Sequence, residues 1–325
     1  MSLNFSVTLV VPILNEIESL PDLLQGLKFQ TLRPDEIIFS DAGSVDGSST
    51  YIEEWWRREG WDGASCRVLQ LPGAMPGVGR NAGVRAARNG WVAFIDGGIS
   101  PESDWLEQLC RYADANQSAA VFGMCHFSAT ASFSKAVCGL SYGHGALHAV
   151  IPASLFARRI FTEIGEFPSQ LRAGEDLVWV GAFQARYGVR EVCIEARVNY
   201  THFPLNWSQA ARKWRITELH CVLAGVRTGQ QALYLFGLPS LYAFALVGNS
   251  TGIALFLAYL LVRGVIDPIL RSSDRPWWGQ QPAAAVIALP LAAALDIAKW
   301  LGIVQGLGIR IFRWVKFGGK RHADS

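Results

Sequence analysis

Asp41, Asp96 and the adjacent pair Glu175 and Asp176 are the acids best placed to do chemistry, because each stands where a regular element ends or begins. The β-like runs VTLVVP (7–12), EIIFSD (36–41) and WVAFIDGG (91–98) precede or contain the first two acids, and the pair opens the helix-like run AGEDLVWVGAFQARYG (173–188). In open α/β sheets the crevice outside the carboxyl ends of the strands is where side chains reach a small molecule. A carboxylate there accepts hydrogen bonds from a base N–H or a ribose hydroxyl. The pattern points to an enzyme that handles a nucleotide.

The segments around these acids carry further signals. In SDAGSVDGS (40–48) a turn rich in glycine and serine lets backbone N–H groups approach a charged ligand. The same turn also reads as an ordinary strand-to-helix connection with Asp46 or Ser44 as the N-cap. In GAMPGVGRNAGVRAARNG (73–90) a glycine-punctuated loop runs into a helix bearing Arg80, Arg85 and Arg88. Arginine beside a helix N-terminus suits phosphate oxygens. The glycines read GxGxxxG, which is not the dinucleotide fingerprint, and Arg85 and Arg88 read as solvated charges on a helix face. Asp96 is followed by two glycines, and a lone carboxylate facing a diphosphate suggests a divalent cation between them. Glu102 and Asp104 fit the N-terminal turn of a helix. Glu175 and Asp176 are either caps favoured by the helix dipole or, in a cleft, acceptors of a proton from a substrate hydroxyl. His144 and His148 lie four apart without a glutamate partner, which is no zinc signature.

The elements that must position these groups alternate from residue 5 to about 125. Strands are expected at 7–11, 36–40, 66–71 and 91–95, with helices at 19–30, 48–58 and 77–89. Such alternation indicates a parallel sheet covered by helices. From 126 to 205 the pattern blurs through SKAVCGLSYGHGALHAVIP, then resumes with a helix from Glu175 to Tyr187 and a strand near 190–200. This reads as the acceptor side of the same domain.

The chain has 325 residues, 50% of them apolar, and a net charge of only +2. That charge gives no reason to expect nucleic acid, and the apolar share exceeds the needs of a soluble domain. Residues 232–262 contain no charge and exceed the ~20 residues that cross a bilayer, with GNSTG at 248–252 favouring a break into a hairpin or two short helices. A second apolar stretch at 283–309 is interrupted by Asp296 and Lys299, one helical turn apart and able to pair. The competing reading is a buried helical core. The basic flanks ARKWR (211–215) and RIFRWVKFGGKR suit the cytoplasmic side of a membrane. Six dispersed cysteines without a CxxC pair suggest neither zinc nor a disulfide framework and fit a reducing compartment. The start, MSLNFSVTLVVPILNE, looks like a first strand, not a signal peptide.

Taken in order and at their separations, VTLVVPILNE, SDAGSVDGS, GRNAGVRAA, FIDGG and GEDLVW resemble the family-2 glycosyltransferases of GT-A fold, over about residues 5–220. The resemblance implies an α/β fold, a Rossmann-type, mostly parallel sheet flanked by helices, followed here by C-terminal membrane helices. It implies a catalytic domain over 1–220, with a nucleotide-sugar half to about 125 and an acceptor half over 126–220, and a membrane-associated helical region over 221–325. It also implies transfer of a sugar, with inversion, from a nucleotide-sugar donor. Position by position, Pro12, Asn15 and Glu16 match the first-strand nucleotide site. Asp41 matches the first acid of the usual DDGS, with Ala42 where the second often stands. Arg80 and Asn81 match the donor-contacting RN, Asp96 the first acid of the DxD metal motif, and Asp176, beside Glu175, the acid expected to act as general base.

Gly98 stands where the second DxD acid usually holds the metal. Mg²⁺ or Mn²⁺ would then rest on Asp96 and the diphosphate, or Arg80 would replace the cation, or activity would be lost. The last possibility motivates a second reading, a catalytically silent membrane-bound assembly protein of the same fold. QAARKW (209–214) has one residue more than the QxxRW of processive members, which favours single-sugar transfer. A lipid-linked or envelope glycan acceptor, contact with membrane lipid and a cytoplasmic catalytic domain on a multi-pass or hairpin anchor complete the expectation.

Overall fold

The computed structural model describes residues 5–248, 250–274 and 277–316. The chain divides into two compact units. The first takes in the residues up to Ser128, Gly145–Gln170 and Glu175–His202. The second takes in Ala129–His144, Leu171–Gly174 and the chain from Phe203 on.

In the first unit β1 (Val7–Ile13), β2 (Glu36–Asp41), β3 (Ser65–Gln70) and β4 (Trp91–Phe94) alternate with α1 (Leu20–Lys28), α2 (Ser48–Glu59) and α3 (Pro76–Ala86). The expected alternation is present, with ends displaced by one to three residues. These strands run parallel in the order β3-β2-β1-β4, with Leu9 beside Ile37 and Thr8 beside Val92. β2 is buried along its whole length and β1 nearly so. Helices on both faces account for that, and for the unbroken runs of Val, Ile and Leu.

The unit continues through β5 (Ile99–Pro101), α4 (Trp105–Asn116) and β6 (Ala120–Phe127). After α5 (Ser132–Ser141), which belongs to the second unit, come β7 (Ala146–Ala149), β8 (Leu155–Ala157), α6 (Arg159–Ile164), α7 (Glu175–Tyr187) and β9 (Val192–Tyr200). Here the pairing turns mixed. β8 is antiparallel to both β4 and β6, β9 is parallel to β6, and β5 and β7 join antiparallel. The result, among the described residues, is a nine-stranded sheet, parallel in its first half and mixed beyond.

An aromatic core lies between the sheet and α6 and α7. Phe94, Phe122, Phe156, Phe161, Phe167, Trp179 and Phe183 are all buried. The ring of Trp179 stacks on Phe167 at 5.0 Å, and its Nε1–H donates to the carbonyl of Gly165 at 3.0 Å. Such ring pairs add about 0.5–1.5 kcal/mol each beyond burial. Because Trp179 lies one turn into α7, this packing fixes where the helix begins, and with it Glu175 and Asp176.

The glycines of α3 let that helix lie against β1. A Cβ at Gly83 would fall 2.3 Å from Val10 Cγ1, and one at Gly77 would fall 2.4 Å from the carbonyl of Pro168. Gly79 faces Ser40 and Pro12. The GxGxxxG pattern is therefore a packing device.

The second unit is helical. Asn206 caps α8 (Trp207–Ala224) by accepting from Gln209 N–H at 3.0 Å. α9 (Thr228–Ala232) runs through a π turn into α10 (Leu238–Leu246). Gly248, at φ +77°, ends that helix where the break was expected. α11 (Ser250–Leu261) then continues through a second π turn into α12 (Asp267–Arg271), and α13 (Trp277–Gln280) precedes α14 (Pro282–Lys316). A Cβ at Gly252 would fall 2.3 Å from the carbonyl of Phe244, so α10 and α11 form a close hairpin. α14 meets α8 at Gly302, where a Cβ would fall 2.2 Å from the carbonyl of Arg215.

Two helical stretches, Ser250–Arg271 and Pro282–Lys316, are long and apolar enough to cross a membrane, with mean hydropathies of 2.0 and 1.8. Asp296 and Lys299 pair at 3.3 Å, as their spacing suggested. Arg275 and the end of the basic tail, from 317, lie outside the described residues.

Gly83→Ala tests the seating of α3. Overpacking against Val10 is expected to lower unfolding stability by about 1–3 kcal/mol, read as a shift in the urea midpoint. An unchanged midpoint would show that α3 does not depend on this close approach.

Candidate active site

The carboxyl ends of β2, β1 and β4 line one edge of the sheet. Strand order extends from β1 to β2 and β3 on one side and to β4 on the other, so a crevice opens where the connections diverge. Asn15, just past β1, has a left-handed backbone (φ +56°), a conformation asparagine tolerates better than most residues. It is held by two hydrogen bonds: its N–H donates to Ser44 Oγ at 2.9 Å and its Oδ1 accepts from Val45 N–H at 2.9 Å. Glu16 N–H donates to Ser48 Oγ at 3.0 Å and Ile17 N–H to Asp46 Oδ2 at 3.0 Å. The loops after β1 and β2 are thereby laced into one rim. Pro12, within β1, backs that rim beneath Gly79.

Asp41 closes β2 and is buried. Its Oδ1 accepts from Gly43 N–H at 3.0 Å, Ser44 N–H at 2.8 Å and Ser44 Oγ at 2.7 Å, and its Oδ2 accepts from Ser49 Oγ. Burial alone would raise its carboxyl, but these donors outweigh it and hold the group below the usual carboxylate range. The side chain shapes the turn. Its carboxylate is engaged within the turn itself.

Arg80 is the hub of the opposite side. It is 4% exposed; its Nη1 donates to Glu175 Oε1 at 2.5 Å and its Nη2 to Asp96 Oδ1 at 2.8 Å. Its guanidinium lies 5.8 Å from the centre of the Phe167 ring. The Nε–H is buried with no partner among the described residues. Burial by itself pulls the Arg80 pKa down, and Asp96, Glu175 and Asp176 more than reverse that, so the group stays charged. Asn81 turns away from the crevice. Its side-chain amide donates to the carbonyl of Phe167 at 2.8 Å and accepts from Phe167 N–H at 2.9 Å, tying α3 to the segment ahead of α7.

The two acids that open α7 differ in surroundings. Glu175 is buried, which pushes its carboxyl up; Arg80 pulls against burial and Asp176 adds to it. Asp176 is half-buried and accepts from Leu177 N–H at 2.8 Å through Oδ1, leaving Oδ2 without a partner among the described residues.

Glu16 faces the crevice from the β1 side. Burial pushes its carboxyl up, the Ser19 hydroxyl, donating at 2.8 Å, opposes this, and nearby Asp96 pushes it further up. A Cβ at Gly98 would lie 3.7 Å from Glu16 Oε2, so the space an acid at 98 would take lies beside a different carboxylate. Among the described residues no cluster of three or more His, Cys, Asp or Glu forms a metal cage.

The structure thus gathers Glu16, Arg80, Asp96, Glu175 and Asp176, and gives Asn15, Asp41 and Asn81 backbone-fixing contacts. Arg85 pairs with Glu166 at an exposed position, as a helix-face charge. Sequence reasoning passed over His202, whose ring Nδ1 lies 3.1 Å from the carbonyl of Gly98 and whose charge would favour ionised Glu16. A lone histidine past a strand gave no signal of this, because β9 reaches the site only through sheet pairing with β5.

Residues 8–145 match Glycosyl transferase family 2. Among curated relatives, the chain is 30% identical over 111 residues to "Uncharacterized glycosyltransferase EpsJ" of Bacillus subtilis, covering 34% of this chain and 31% of the relative. It is 28% identical over 114 residues to "Cholesterol galactosyltransferase" of Borreliella burgdorferi, covering 35% and 31%. The chain thus spans about a third of the length of these relatives. Among solved structures, a mannosyltransferase from Pyrobaculum calidifontis in complex with GDP-Man and Mn²⁺ superposes with a TM-score of 0.56 at 16% identity, covering 87% of this chain and 86% of that one. That likeness is one of fold, and the fold is GT-A-like.

Arg80→Met is expected to cost about 3–5 kcal/mol, because it leaves Glu175 buried without its counter-charge. Adding Glu175→Gln should restore much of that loss; a double variant no more stable than Arg80→Met would mean the pair is not coupled. Asp41 gives a pH prediction. A carboxyl depressed by folding adds stability that is complete above about pH 4 and lost as pH falls through its folded-state pKa. Asp41→Asn should therefore flatten the acid limb of stability against pH, and an acid limb identical to that of the parent would contradict these contacts.

Proposed function

We propose that this chain is an inverting glycosyltransferase that moves one sugar from a nucleoside-diphosphate sugar to a lipid-linked or envelope glycan acceptor. The observation that carries the reading is the buried guanidinium of Arg80 between Asp96 and Glu175, at the carboxyl edge of the strands, within a domain of this family. Pro12, Asn15, Glu16, Asp41, Arg80, Asn81 and Asp96 form the donor side, with Asp41 and Asn81 acting by holding loops in place.

Asp176 takes the proton of the acceptor hydroxyl as that oxygen bonds to the anomeric carbon and the bond to the diphosphate breaks. Its half-buried position and unpartnered oxygen suit this role better than the ion-paired Glu175, which positions Arg80. The positive charge that Arg80 keeps at the edge of the crevice stabilises the departing diphosphate.

The residues present fit a divalent cation held chiefly by its ligand. The Asp96 side chain is 38% exposed, Glu16 lies beside the gap at Gly98, and Mg²⁺ commonly takes one or two carboxylates plus phosphate oxygens. Asp96 and Glu16 would hold Mg²⁺ or Mn²⁺, which when bound neutralises charge on the diphosphate.

A lipid-linked acceptor accords with the mostly exposed apolar residues of Ser250–Arg271 and with the name of the Borreliella relative. The basic flanks support a cytoplasmic catalytic domain in this reading.

Titration of the purified chain with UDP-, GDP- and dTDP-sugars, with Mn²⁺ and with EDTA, is the test. Asp176→Asn should bind the donor about as well as the parent while turnover falls roughly 10²–10⁴-fold. Full activity in that variant would remove Asp176 from the mechanism. Failure to bind any donor would favour the catalytically silent reading, and undiminished binding in EDTA would remove the cation.

A further inference from the structure

We propose that the helical unit contains a binding site for an anionic amphiphile, a phosphate-like headgroup on an alkyl or isoprenyl chain, in an open cavity of about 930 Å³ lined by residues of α5, α8, α10, α11, α12 and α14 and the turns between them. The inference concerns binding alone and stands apart from the transfer chemistry proposed for the first unit. The cavity lies at the upper end of the ~300–1,000 Å³ typical of small-molecule sites. Every residue lining it belongs to the second unit.

Its walls are of two kinds. Trp214, Leu233, Leu238, Leu241 and Val262 give an apolar surface suited to a hydrocarbon chain. Lys213, Arg227, Arg263, Arg271 and Lys299 also line it, against three acids, an excess of two positive charges.

The acids are already engaged by the protein. Asp296 accepts from Tyr234 at 2.9 Å, Tyr259 at 3.0 Å, Arg263 at 3.1 Å and Lys299 at 3.3 Å. Asp267 takes Arg263 at 2.8 Å and Arg271 at 2.5 Å, and Glu218 takes Arg227 at 3.4 Å. Arg263 and Arg271 also donate to the carbonyls of Leu140 and Ser141, at 3.2 and 3.4 Å, and of the five N–H donors in each fork Arg263 keeps one and Arg227 and Arg271 several. The remaining donors and the excess charge suit a phosphate or phosphate ester. Burial pushes the Lys213 ammonium down, and an anion in the cavity would oppose that shift. Its Nζ sits 5.4 Å from the Trp214 ring centre.

The chain side of the ligand follows from the helices. Arg263 and Arg271 lie on the same stretch, Ser250–Arg271, whose apolar surface is mostly exposed. A wall that is cationic toward the cavity and apolar toward its surroundings suits a molecule with both characters.

The test uses the full chain in phosphatidylcholine nanodiscs, with radiolabelled farnesyl monophosphate as probe and farnesol and inorganic phosphate as competitors. Saturable binding is expected, with each competitor at least about tenfold weaker than unlabelled farnesyl monophosphate, since farnesol lacks the charge-assisted contacts, each worth about that much, and phosphate lacks the apolar chain. Lys213→Met and Arg271→Gln should each weaken binding about tenfold. Arg271 is partly exposed, so its variant tests charge with little risk to folding. Farnesol competing equally would reduce the cavity to an apolar slot, and phosphate competing equally would reduce it to a headgroup site. Either result, an absence of saturable binding, or unchanged affinity in both variants would overturn the proposal.

Discussion

One buried guanidinium organises the first unit. Arg80 joins α3 to the end of β4 through Asp96 and to the start of α7 through Glu175, three segments far apart in the chain. A charge removed from water is tolerable only when its partners are close and well aimed, so each of the three segments is constrained by the other two. Arginine suits this better than lysine, because its planar fork reaches two carboxylates at once.

That arrangement depends on backbone proximity. Arg80 sits at the strand ends with α3 packed closer than a side chain would allow, to Val10 of β1 at Gly83 and to the carbonyl of Pro168 at Gly77. Asn81 adds a second tie by pairing both ends of its amide with the backbone of Phe167, and Phe167 in turn stacks on Trp179 of α7. The helix carrying the candidate base is thus positioned by an aromatic stack on one side and an ion pair on the other. Packing and electrostatics act on the same few residues.

The helical unit has a polar cluster of its own. Asp296 collects hydroxyl, guanidinium and ammonium donors from three stretches of chain, in surroundings where an isolated charge would be costly. Such a cluster fixes the register of the helices that contribute to it. It also keeps cationic side chains at the wall of a cavity that has an apolar side.

The amino-acid sequence alone determined the alternating elements of the first half, the break after residue 247 and the pairing of Asp296 with Lys299. These are legible because local periodicity, turn residues and helical spacing act within a few residues. Tertiary structure decided what each acid does. Asp41 and Asp96 look alike as strand-end carboxylates, yet one is held by the turn that follows it and the other faces Arg80 across the crevice. Glu175 and Asp176 are neighbours in the chain, but only one meets a buried cation. The antiparallel strands of the second half, the placing of Glu16 beside Gly98 and the approach of His202 were likewise beyond local reading. Strand pairing and ion pairing join residues some 16 to 104 positions apart, and no short-range pattern encodes which partner a charge will find.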